Sequence, residues 1–567
     1  MKVSPKILTT SLEHSNHGAR SLNQIGSLGE SVDGYKDIPL DDFTPRKPSV
    51  PVRTNNHEAQ KTEFVKDEGM SWFVTGLFVV GVLAGGGIVA LPTAMVQAGL
   101  GVGLVFTVLL TATFTYTSHV LGKSWAILQQ RWPHLYCTQH CRKPYPEIGY
   151  RALGHGMKTL VSVSINITQF GIAVVYLVLS AKNIHDFLNA LFGLNISFCI
   201  VAIILALALL PVLLLKSPQD FWGAVVAAMF TTSLAVILII IGSAFDFGDC
   251  VIEREYPPPL ITNYFLALGT FIFAFGGHSA FPTIQHDMKK PEEWTKSSIL
   301  AFTMIAVMYT PVCVVGYLTY GNSLRESIIN SLQTTWLQQS VNVLITLHCI
   351  LALTIIFNVC NQEAEEIFHV PHHFCRKRVF VRGAMMAAVL FVAESVPNFG
   401  PLLDLFGGST VALTSIVFPC LFYIYLLAGD KMTNTRKTTL SDPSIQTSKI
   451  PKEHRIQEEG GIWPSILQVI ANVDKPTLLF CAFIIVFGLV GGAIATWSAI
   501  RQISYTRFVP PCYIPASLFE AQSAPHASES FHSRHNSLNC CGAGQNISRY
   551  GPVNEHCSRP NYNFYSS

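Results

Sequence analysis

Long apolar segments recur along the chain from Ser71 to about Ser498, and they constrain the fold more than any other feature. A helix needs about 20 mostly apolar residues to cross a bilayer, and backbone groups in lipid must be satisfied within helices or closed barrels. With 50% hydrophobic and only 13% charged residues, the composition disfavours a water-soluble class. We therefore predict an all-α, multi-pass membrane protein with eleven transmembrane helices. The predicted spans are 71–97, 99–122, 159–181, 197–215, 221–242, 262–286, 298–320, 336–360, 379–396, 399–428 and 476–499.

The two ends of the chain differ in composition from this apolar region. Residues 1–70 and 500–567 are polar and rich in Ser, Asn and Pro, and they carry too little apolar surface to offset the entropy of ordering. We predict disordered tails on either side of a transmembrane domain at 71–499. The N-terminal stretch also lacks the apolar core of a signal peptide, so we expect the first span to direct insertion.

The distribution of Lys and Arg between the predicted loops sets the orientation. Cytoplasmic loops retain positive charge, and a cytoplasmic N-terminus gives 21 Lys and Arg residues in the inner loops against 3 in the outer loops. An odd number of spans then puts the C-terminal tail on the lumenal or extracellular side. The glycosylation sequons at Asn195 and Asn546 fall on that side. Five cysteines fall there too, and the sequence does not specify their pairing: Cys250, Cys512, Cys540, Cys541 and Cys557.

A short motif occurs twice in the apolar region, once in the first predicted span and once in the sixth. "GGIVALP" occupies 86–92 and "GGHSAFP" occupies 276–282, and the two share Gly-Gly, Ala and Pro at the same offsets. Five spans separate their starts, so one of these spans begins inside and the other outside. That parity predicts two inverted five-helix repeats with one extra helix, an organisation found in secondary transporters.

The composition of the motif predicts a break in each helix. Glycine leaves a helix at low steric cost, and proline, here Pro92 and Pro282, removes a backbone donor. Freed backbone groups are tolerated in a membrane only where they line a polar cavity or bind a ligand. A helix N-terminus attracts a carboxylate, and free carbonyls attract an ammonium group or a cation. The alternative is that the glycines only permit close helix packing and the prolines only make kinks.

Three stretches carry a family resemblance. They are "GGGIVALPTAMVQAGLGVG" (85–103), "FAFGGHSAFPTIQHDMKKPEEW" (273–294) and "VPNFGPLLDLFGGSTVALTSIVFPCLFYIYL" (396–426). In order and spacing they resemble the amino acid/auxin permease family, which includes vesicular inhibitory amino acid transporters and proton-coupled amino acid transporters. The resemblance implies a five-plus-five inverted-repeat fold with one extra helix. It also implies transport of amino acids or small amines by alternating access, with a proton or sodium ion as the coupling ion and no other cofactor.

The resemblance further implies a substrate site at the two motifs. Residues of the first motif would receive the substrate carboxylate: Gly85, Gly86, Gly87 and Ile88. Residues of the second motif would line the other side of the substrate: Phe275, Gly276, Gly277 and Ser279. No residue pattern singles out one amino acid as the substrate.

His278 in the second motif is the first candidate for ion coupling. Imidazole has an unperturbed pKa of about 6.5, and ionisable residues inside a membrane are functional candidates. We expect His278 to sense or relay a coupling proton; a neutral histidine bonded to a carbonyl is the alternative. A sodium site made by carbonyls at 82–86 with Thr354 would instead make the chain a sodium-coupled symporter. Binding without flux would make it an amino acid sensor that signals through its tails.

Other polar residues in the apolar region are weaker candidates. His348 is expected to serve packing, while Asn166 and Gln169 either bind substrate or bridge helices. Three carboxylates are expected near the membrane interface: Asp404, Glu394 and Glu363.

The segment 132–154 groups several possible metal ligands: His134, Cys137, His140 and Cys141. It lacks the separated second ligand pair of structural zinc modules, so we predict no metal site there. We expect an amphipathic surface segment anchored by Trp132 and the nearby tyrosines. No phosphate loop, metalloprotease helix or hydrolase context occurs, and we predict neither an enzyme nor a nucleic-acid binder.

Residues Tyr35–Ile38 resemble a tyrosine-based sorting signal. If a sorting adaptor binds it, the protein belongs in a vesicular or lysosomal membrane; otherwise the plasma membrane is expected. The partners expected from the sequence are thus the lipid bilayer, an amino acid or small amine, and this adaptor.

Overall fold

The computed structural model describes residues 66, 69–137, 141–194, 196–214, 222–251, 254, 256–257, 260–371, 375–396, 399–440 and 463–505, with a short strand pair near the C-terminus. Most of both predicted tails lies outside the described residues. So do Asn195, Asn546 and the Tyr35–Ile38 segment. The strand pair joins Cys540–Cys541 to Ile547–Ser548 in antiparallel register.

Helices make up nearly all of the described chain. Up to the eighth predicted span they are α1 (Trp72–Leu83), α2 (Gly86–Ala98), α3 (Leu100–Arg131), α4 (Pro133–Tyr136), α5 (Pro144–Leu153), α6 (His155–Phe192), α7 (Phe198–Leu213), α8 (Trp222–Cys250), α9 (Ile261–Phe275), α10 (Phe281–His286), α11 (Trp294–Tyr320) and α12 (Thr335–Ile367). Beyond it they are α13 (Arg376–Ser395), α14 (Phe399–Phe406), two π-helical segments (Gly407–Val411 and Leu413–Val417), α15 (Phe418–Leu440), α16 (Ile466–Asn472) and α17 (Lys475–Tyr505).

Seven helical segments in the described chain are long and apolar enough to cross a membrane, and the bent pair α1–α2 makes an eighth. The apolar helices α7 and α9 are shorter, and α13 begins with a cluster of basic residues. All eleven predicted segments coincide with helices. The all-helical, multi-pass class is therefore confirmed, while the count of eleven spans stays a prediction.

The first predicted span is broken between α1 and α2, which meet at an angle of 64°. The N–H of Gly85 bonds Leu83 O at 2.9 Å, and the N–H of Ile88 bonds Gly85 O at 3.1 Å, so the helical ladder stops and restarts here. Pro92 lies inside α2 and does not make the break, contrary to the prediction. Its missing N–H removes only one helical bond, and α2 continues around it.

The sixth predicted span has a longer break. Residues 276–280 separate α9 from α10, and Gly276 is extended with φ −81° and ψ 123°. Pro282 falls in the first turn of α10, where a backbone N–H has no acceptor within the helix, so the N–H that proline lacks removes no helical hydrogen bond. This proline therefore restarts the helix as its position in the motif predicts.

The two broken spans pack against each other in opposite directions. α2 lies along α9, and α1 contacts α10, so the first half of each span meets the second half of the other. The contact is close, because a Cβ atom added to Gly87 would lie 2.7 Å from both Cα and Cβ of Ala274. Glycine at this position lets the two backbones approach.

The remaining helices surround this pair. α6 packs along α12, α3 along α11, and α7 along α13. The π-helical segment that follows α14 approaches α17 through two glycines: a Cβ on Gly492 would lie 2.6 Å from Gly408 O. Small residues at such crossings favour close helix packing in membranes.

The segment before α1 pairs with the turn after α10. Three backbone hydrogen bonds join them: Lys66 N–H to Lys289 O, Met70 N–H to Asp287 O, and Lys289 N–H to Met70 O. The Lys66 ammonium group also donates to His286 O. Burial lowers the pKa of Lys66, and the nearby Asp287 opposes this shift. The start of the first span and the end of the sixth therefore lie on one side.

Two short helices, α4 and α5, lie in the 132–154 segment, and most of α5 is buried, which corrects the prediction of a surface segment. Trp132 is 4% exposed and Tyr145 is 1% exposed. The Arg151 guanidinium lies 4.3 Å from the centre of the Trp132 ring, and the Tyr145 hydroxyl donates to Thr414 O at 2.5 Å. The aromatic side chains anchor the segment to protein because α5 packs on α6 and α15. In the described residues no His, Cys, Asp and Glu group of metal-binding size occurs.

Candidate functional site

A cavity of about 40 Å³ lies where the two broken spans meet α6. It is lined by residues of both breaks, by one face of α6, by Ile356 of α12 and by Val411 of the first π-helical segment. A water needs about 10–15 Å³ of such space, so the cavity holds roughly three waters. In this conformation it is too small for an amino acid of ordinary size.

Half of the predicted substrate residues line this cavity. The lining includes four of the eight: Gly87, Gly276, Gly277 and Ser279. Ile88 does not, because its side chain is fully buried and its N–H bonds Gly85 O. Phe275 also points elsewhere: its ring packs on Tyr309 at 5.5 Å and on Phe114 at 6.1 Å. Packing between helices occupies both side chains, and the substrate roles expected for the two residues stay predictions.

Tyr176 of α6 lies against the break, beside the start of α2. A Cβ atom added to Gly86, the first residue of α2, would lie 3.2 Å from Cε1 of its ring. A Cβ on Gly85 would overlap the Tyr176 hydroxyl. With Gln169 and Ile172, Tyr176 presents one face of α6 to the cavity. The predicted role of Gln169 thus has a place in the geometry, and the one sequence signal for Tyr176 was a hydroxyl in an apolar span.

Tyr309 of α11 joins the two breaks, and no sequence pattern singled it out. Its hydroxyl lies 3.1 Å from Leu83 O, the last carbonyl of α1, and 3.2 Å from Ala274 O near the end of α9. The last carbonyls of a helix have no partner within the helix. One fully buried hydroxyl proton is therefore shared between two helix ends.

His278 is buried behind the second break. Its Nε2 lies 2.9 Å from Thr117 Oγ1 and 3.2 Å from Phe114 O, both on α3. Because a carbonyl only accepts, Nε2 carries the ring proton. Nδ1 has no hydrogen-bond partner in the described residues, and the rings of Phe281 and Phe302 pack nearby at 4.5 and 6.0 Å. The side chain faces α3 and does not line the cavity.

Thr354 does not take part in the cavity. Its hydroxyl donates to Leu351 O of its own helix at 2.7 Å, and Ile356 lines the cavity instead. The hydroxyl proton is therefore paired within α12, while the oxygen lone pairs are able to bind a cation, and the sodium site expected from the sequence stays a prediction.

The three carboxylates predicted at the interface differ in environment. Asp404 is only 4% exposed and accepts a hydrogen bond from the Thr270 hydroxyl, so it is a core residue rather than an interface residue. Glu363 pairs with Lys143 at 2.8 Å. Glu394 is half-buried, and its Oε1 has no partner in the described residues.

None of the described residues that line the cavity carries a charge. The electrostatics of the site therefore come from the backbone. The N-terminus of α2 presents N–H groups and the positive end of a helix dipole, while the ends of α1 and α9 present carbonyls. This arrangement suits a small molecule with one carboxylate and one ammonium group.

The family model described as transmembrane amino acid transporter protein matches residues 68–445. The chain belongs to this family. Among curated members, Lysine histidine transporter-like 4 of Arabidopsis thaliana is 26% identical over 379 residues, which is 63% of this chain and 81% of the relative. Amino acid transporter AVT1D of the same organism is 25% identical over 439 residues, or 75% of this chain and 68% of the relative. The crystal structure of MhsT in complex with L-phenylalanine aligns to 76% of this chain and 100% of its own at 11% identity, with a TM-score of 0.44.

Membership confirms the family that the three stretches resemble. It also agrees with the prediction of a transporter rather than an enzyme, since these relatives are named as transporters. The matched region contains both breaks and the whole cavity lining. The cavity is therefore the candidate substrate site of an amino acid transporter family member.

Proposed function

We propose that this chain is a proton-coupled secondary transporter that moves small neutral amino acids across a membrane by alternating access. The observation that carries the proposal is the uncharged cavity between two broken spans. Irregular backbone at membrane depth is tolerated where it lines a cavity, and transporters place substrate sites at such breaks.

The packing of the helices supports an eleven-span, five-plus-five inverted repeat. Four pairs of predicted spans that lie five apart are in contact: the first with the sixth, the second with the seventh, the third with the eighth and the fourth with the ninth. Two inverted halves related by an axis between them produce such contacts between equivalent helices. The pairing of Met70 with the turn after α10 also supports the opposite directions of the first and sixth spans.

The substrate's two charged groups would bind the two kinds of helix end. The carboxylate would accept hydrogen bonds from the first N–H groups of α2, at Gly86 and Gly87, beside the Tyr176 hydroxyl. The ammonium group would donate to carbonyls at the ends of α1 and α9. No carboxylate among the described lining residues can pair with a cationic side chain, so small neutral amino acids are favoured over lysine. The cavity must widen to admit them.

Coupling to a proton is the second part of the proposal. His278 is the candidate from the sequence, and its Nδ1 has a free lone pair. Sodium coupling is less well supported, because Thr354, the side-chain ligand expected from the sequence, does not line the cavity. Replacing His278 with Gln should flatten the dependence of uptake on pH if His278 carries the proton.

Orientation follows from the charge distribution and is supported by two cysteines. Cys199 at the start of α7 and Cys250 at the end of α8 each form a disulfide. Both fall on the side that the Lys and Arg bias assigns to the lumen or the extracellular space, and disulfides form in such oxidising compartments. We therefore propose a cytoplasmic N-terminus, in a vesicular, lysosomal or plasma membrane.

The test is uptake into proteoliposomes that contain the purified full-length chain. A panel of labelled amino acids is offered with an imposed pH gradient and with sodium replaced by choline. We expect concentrative uptake of small neutral amino acids that follows the pH gradient and does not need sodium. Absence of uptake for every amino acid under either gradient would refute the proposal.

A matched pair of variants tests the location of the site. Ser279→Ala removes a hydroxyl from the cavity lining and should raise KM with little change in protein stability. Ser340→Ala removes an exposed hydroxyl of α12 that bonds its own helix, and should leave KM unchanged. Equal KM values for the two variants would place the substrate elsewhere.

A further inference from the structure

His348, which the sequence indicates only as a packing residue, lies fully buried in α12 beside the break of the first span. Its Nδ1 is 2.8 Å from Thr232 Oγ1 and 3.1 Å from Ala228 O, both on α8. The carbonyl of Ala228 can only accept, so Nδ1 carries the ring proton. In the neutral ring Nε2 is therefore an acceptor with a free lone pair.

The Nε2 atom points to the break. It has no hydrogen-bond partner in the described part of the chain, and a Cβ atom on Gly85 would lie 2.7 Å from it. The ring of Tyr176, whose hydroxyl also lies against Gly85, packs edge-on to His348 with centroids 6.2 Å apart. A buried acceptor without a partner is unfavourable, and such groups in native structures call for a reason.

A metal ion, a hydrogen-bond donor or a proton can satisfy such a lone pair. A transition metal needs several ligands, and no suitable cluster occurs among the described residues. Hard cations take several oxygen ligands rather than an imidazole nitrogen. A proton needs only the one lone pair, and imidazole exchanges it near neutral pH.

We propose that Nε2 of His348 takes up the coupling proton, and that the imidazolium then donates a hydrogen bond to backbone carbonyls at the α1–α2 break. One N–H bond forms when the proton enters from one compartment and breaks when it leaves to the other. The inference rests on the proposed transport function and assigns proton coupling to His348 rather than to His278.

The surroundings of the ring contain no competing charge among the described residues. The titratable group that packs on it is the Tyr176 side chain of α6, with Cys349 beside it on α12. The arginines of α13 are engaged by Glu365, which is 17 residues along α12 and thus roughly 25 Å away at 1.5 Å per residue. The carboxylates of α8 belong to Asp246 and Asp249, and the nearer one is 14 residues beyond Thr232 and thus roughly 21 Å from it along the helix.

The location explains how a proton and a substrate would be coupled. The imidazolium would lie beside Gly85, and the proposed carboxylate site begins at the next residue, Gly86. The imidazolium and the substrate carboxylate would carry opposite charges at neighbouring positions, and in a site without bulk water such charges stabilise each other. By thermodynamic reciprocity, substrate binding must then raise the affinity for the proton by the same factor as the proton raises the affinity for substrate, typically about 5- to 150-fold.

The first test measures coupling in proteoliposomes. Wild-type protein should accumulate substrate in response to a pH gradient, and should also exchange labelled for unlabelled substrate without a gradient. His348→Gln should retain exchange and lose accumulation driven by the pH gradient, whereas the control variant Ser340→Ala should retain both. Gradient-driven accumulation by His348→Gln at the wild-type level would overturn the inference, and absence of wild-type uptake would instead overturn the proposed function.

The second test measures the proton directly. Addition of substrate to purified protein in weakly buffered detergent solution should remove close to one proton per bound substrate, as read by a pH-indicator dye. His348→Gln should take up none while still binding labelled substrate. Proton uptake by this variant equal to that of the wild type would overturn the inference.

A third variant tests the inference in case His348→Gln does not fold. Thr232→Val removes one partner of Nδ1 and leaves Nε2 in place. It should keep proton-driven uptake with the midpoint of its pH profile displaced from that of the wild type, because the imidazolium loses a hydrogen bond. An unchanged midpoint would mean that this ring does not titrate during transport.

Discussion

Gly87→Ala directly perturbs the close contact between α2 and α9. The added Cβ would lie 2.7 Å from Cα and Cβ of Ala274, which belong to the backbone and its first side-chain atom and cannot rotate away. Ordinary carbon contacts are about 3.5–4.0 Å, so α2 and α9 must separate by about 1 Å. Overpacking of this kind costs about 1–3 kcal/mol, against a gain of up to about 1 kcal/mol from the helix propensity of alanine.

The same substitution at Gly223 is the matched control. Gly223 lies in α8, and no atom is within 4 Å of the Cβ that alanine would add. We expect Gly87→Ala to lower the midpoint of thermal denaturation in detergent and Gly223→Ala to leave it unchanged or raise it.

Uptake provides the second readout for Gly87→Ala. Because α2 and α9 carry the cavity, a shift of about 1 Å should reduce uptake by about tenfold or more, as misplacement of binding groups does in enzymes. If both variants have the same denaturation midpoint and the same uptake, the close contact between the broken spans is not what Gly87 provides.

Three further predictions concern buried groups. Tyr309→Phe removes the hydroxyl shared by two helix-end carbonyls, and should cost about 1–3 kcal/mol, seen as a lower denaturation midpoint. Glu365→Gln removes the carboxylate that pairs with the two buried arginines, Arg378 and Arg382, and should cost about 3 kcal/mol; adding Arg382→Met should recover part of that loss. Burial raises the pKa of Cys141 to about 11, so its thiolate is scarce at pH 7 and grows as pH rises toward that value. Maleimide labelling of Cys141 should therefore be slow at pH 7 and accelerate steeply with pH, compared with a cysteine introduced at the exposed Ser340.

The periodicity and composition of the chain were sufficient for the class of fold and for the region of the site. Apolar length predicts the spanning helices, because hydrocarbon imposes internal hydrogen bonding on every segment. The paired glycines predict both breaks, because glycine is the residue that most easily leaves a helix. Gly87, Gly276, Gly277 and Ser279, which the family resemblance assigns to the substrate, line the cavity, and their part in binding stays a prediction.

Such sequence patterns could not predict which side chains contact the two helix breaks. Whether Pro92 breaks a helix depends on where the helix restarts, which is set by the contact between Gly85 and the side chains of α6 and α12. Tyr176 and Tyr309 sit in apolar spans where an aromatic residue is usual, and only tertiary contacts show that their hydroxyls meet helix ends. His348 could be found as an ionisable group within a span, but its free nitrogen becomes visible only in three dimensions.

Backbone hydrogen bonds pair the segment before α1 with the turn after α10. A movement of α10 is therefore coupled to a movement of this segment, which lies outside the helix bundle. If α10 tilts when the cavity opens, three hydrogen bonds either break or drag Lys66 and Met70 along with it. A movement of the sixth span would then also move the residues that lead into the first span. A fluorophore placed there would report each turnover from the aqueous side, without a label inside the membrane.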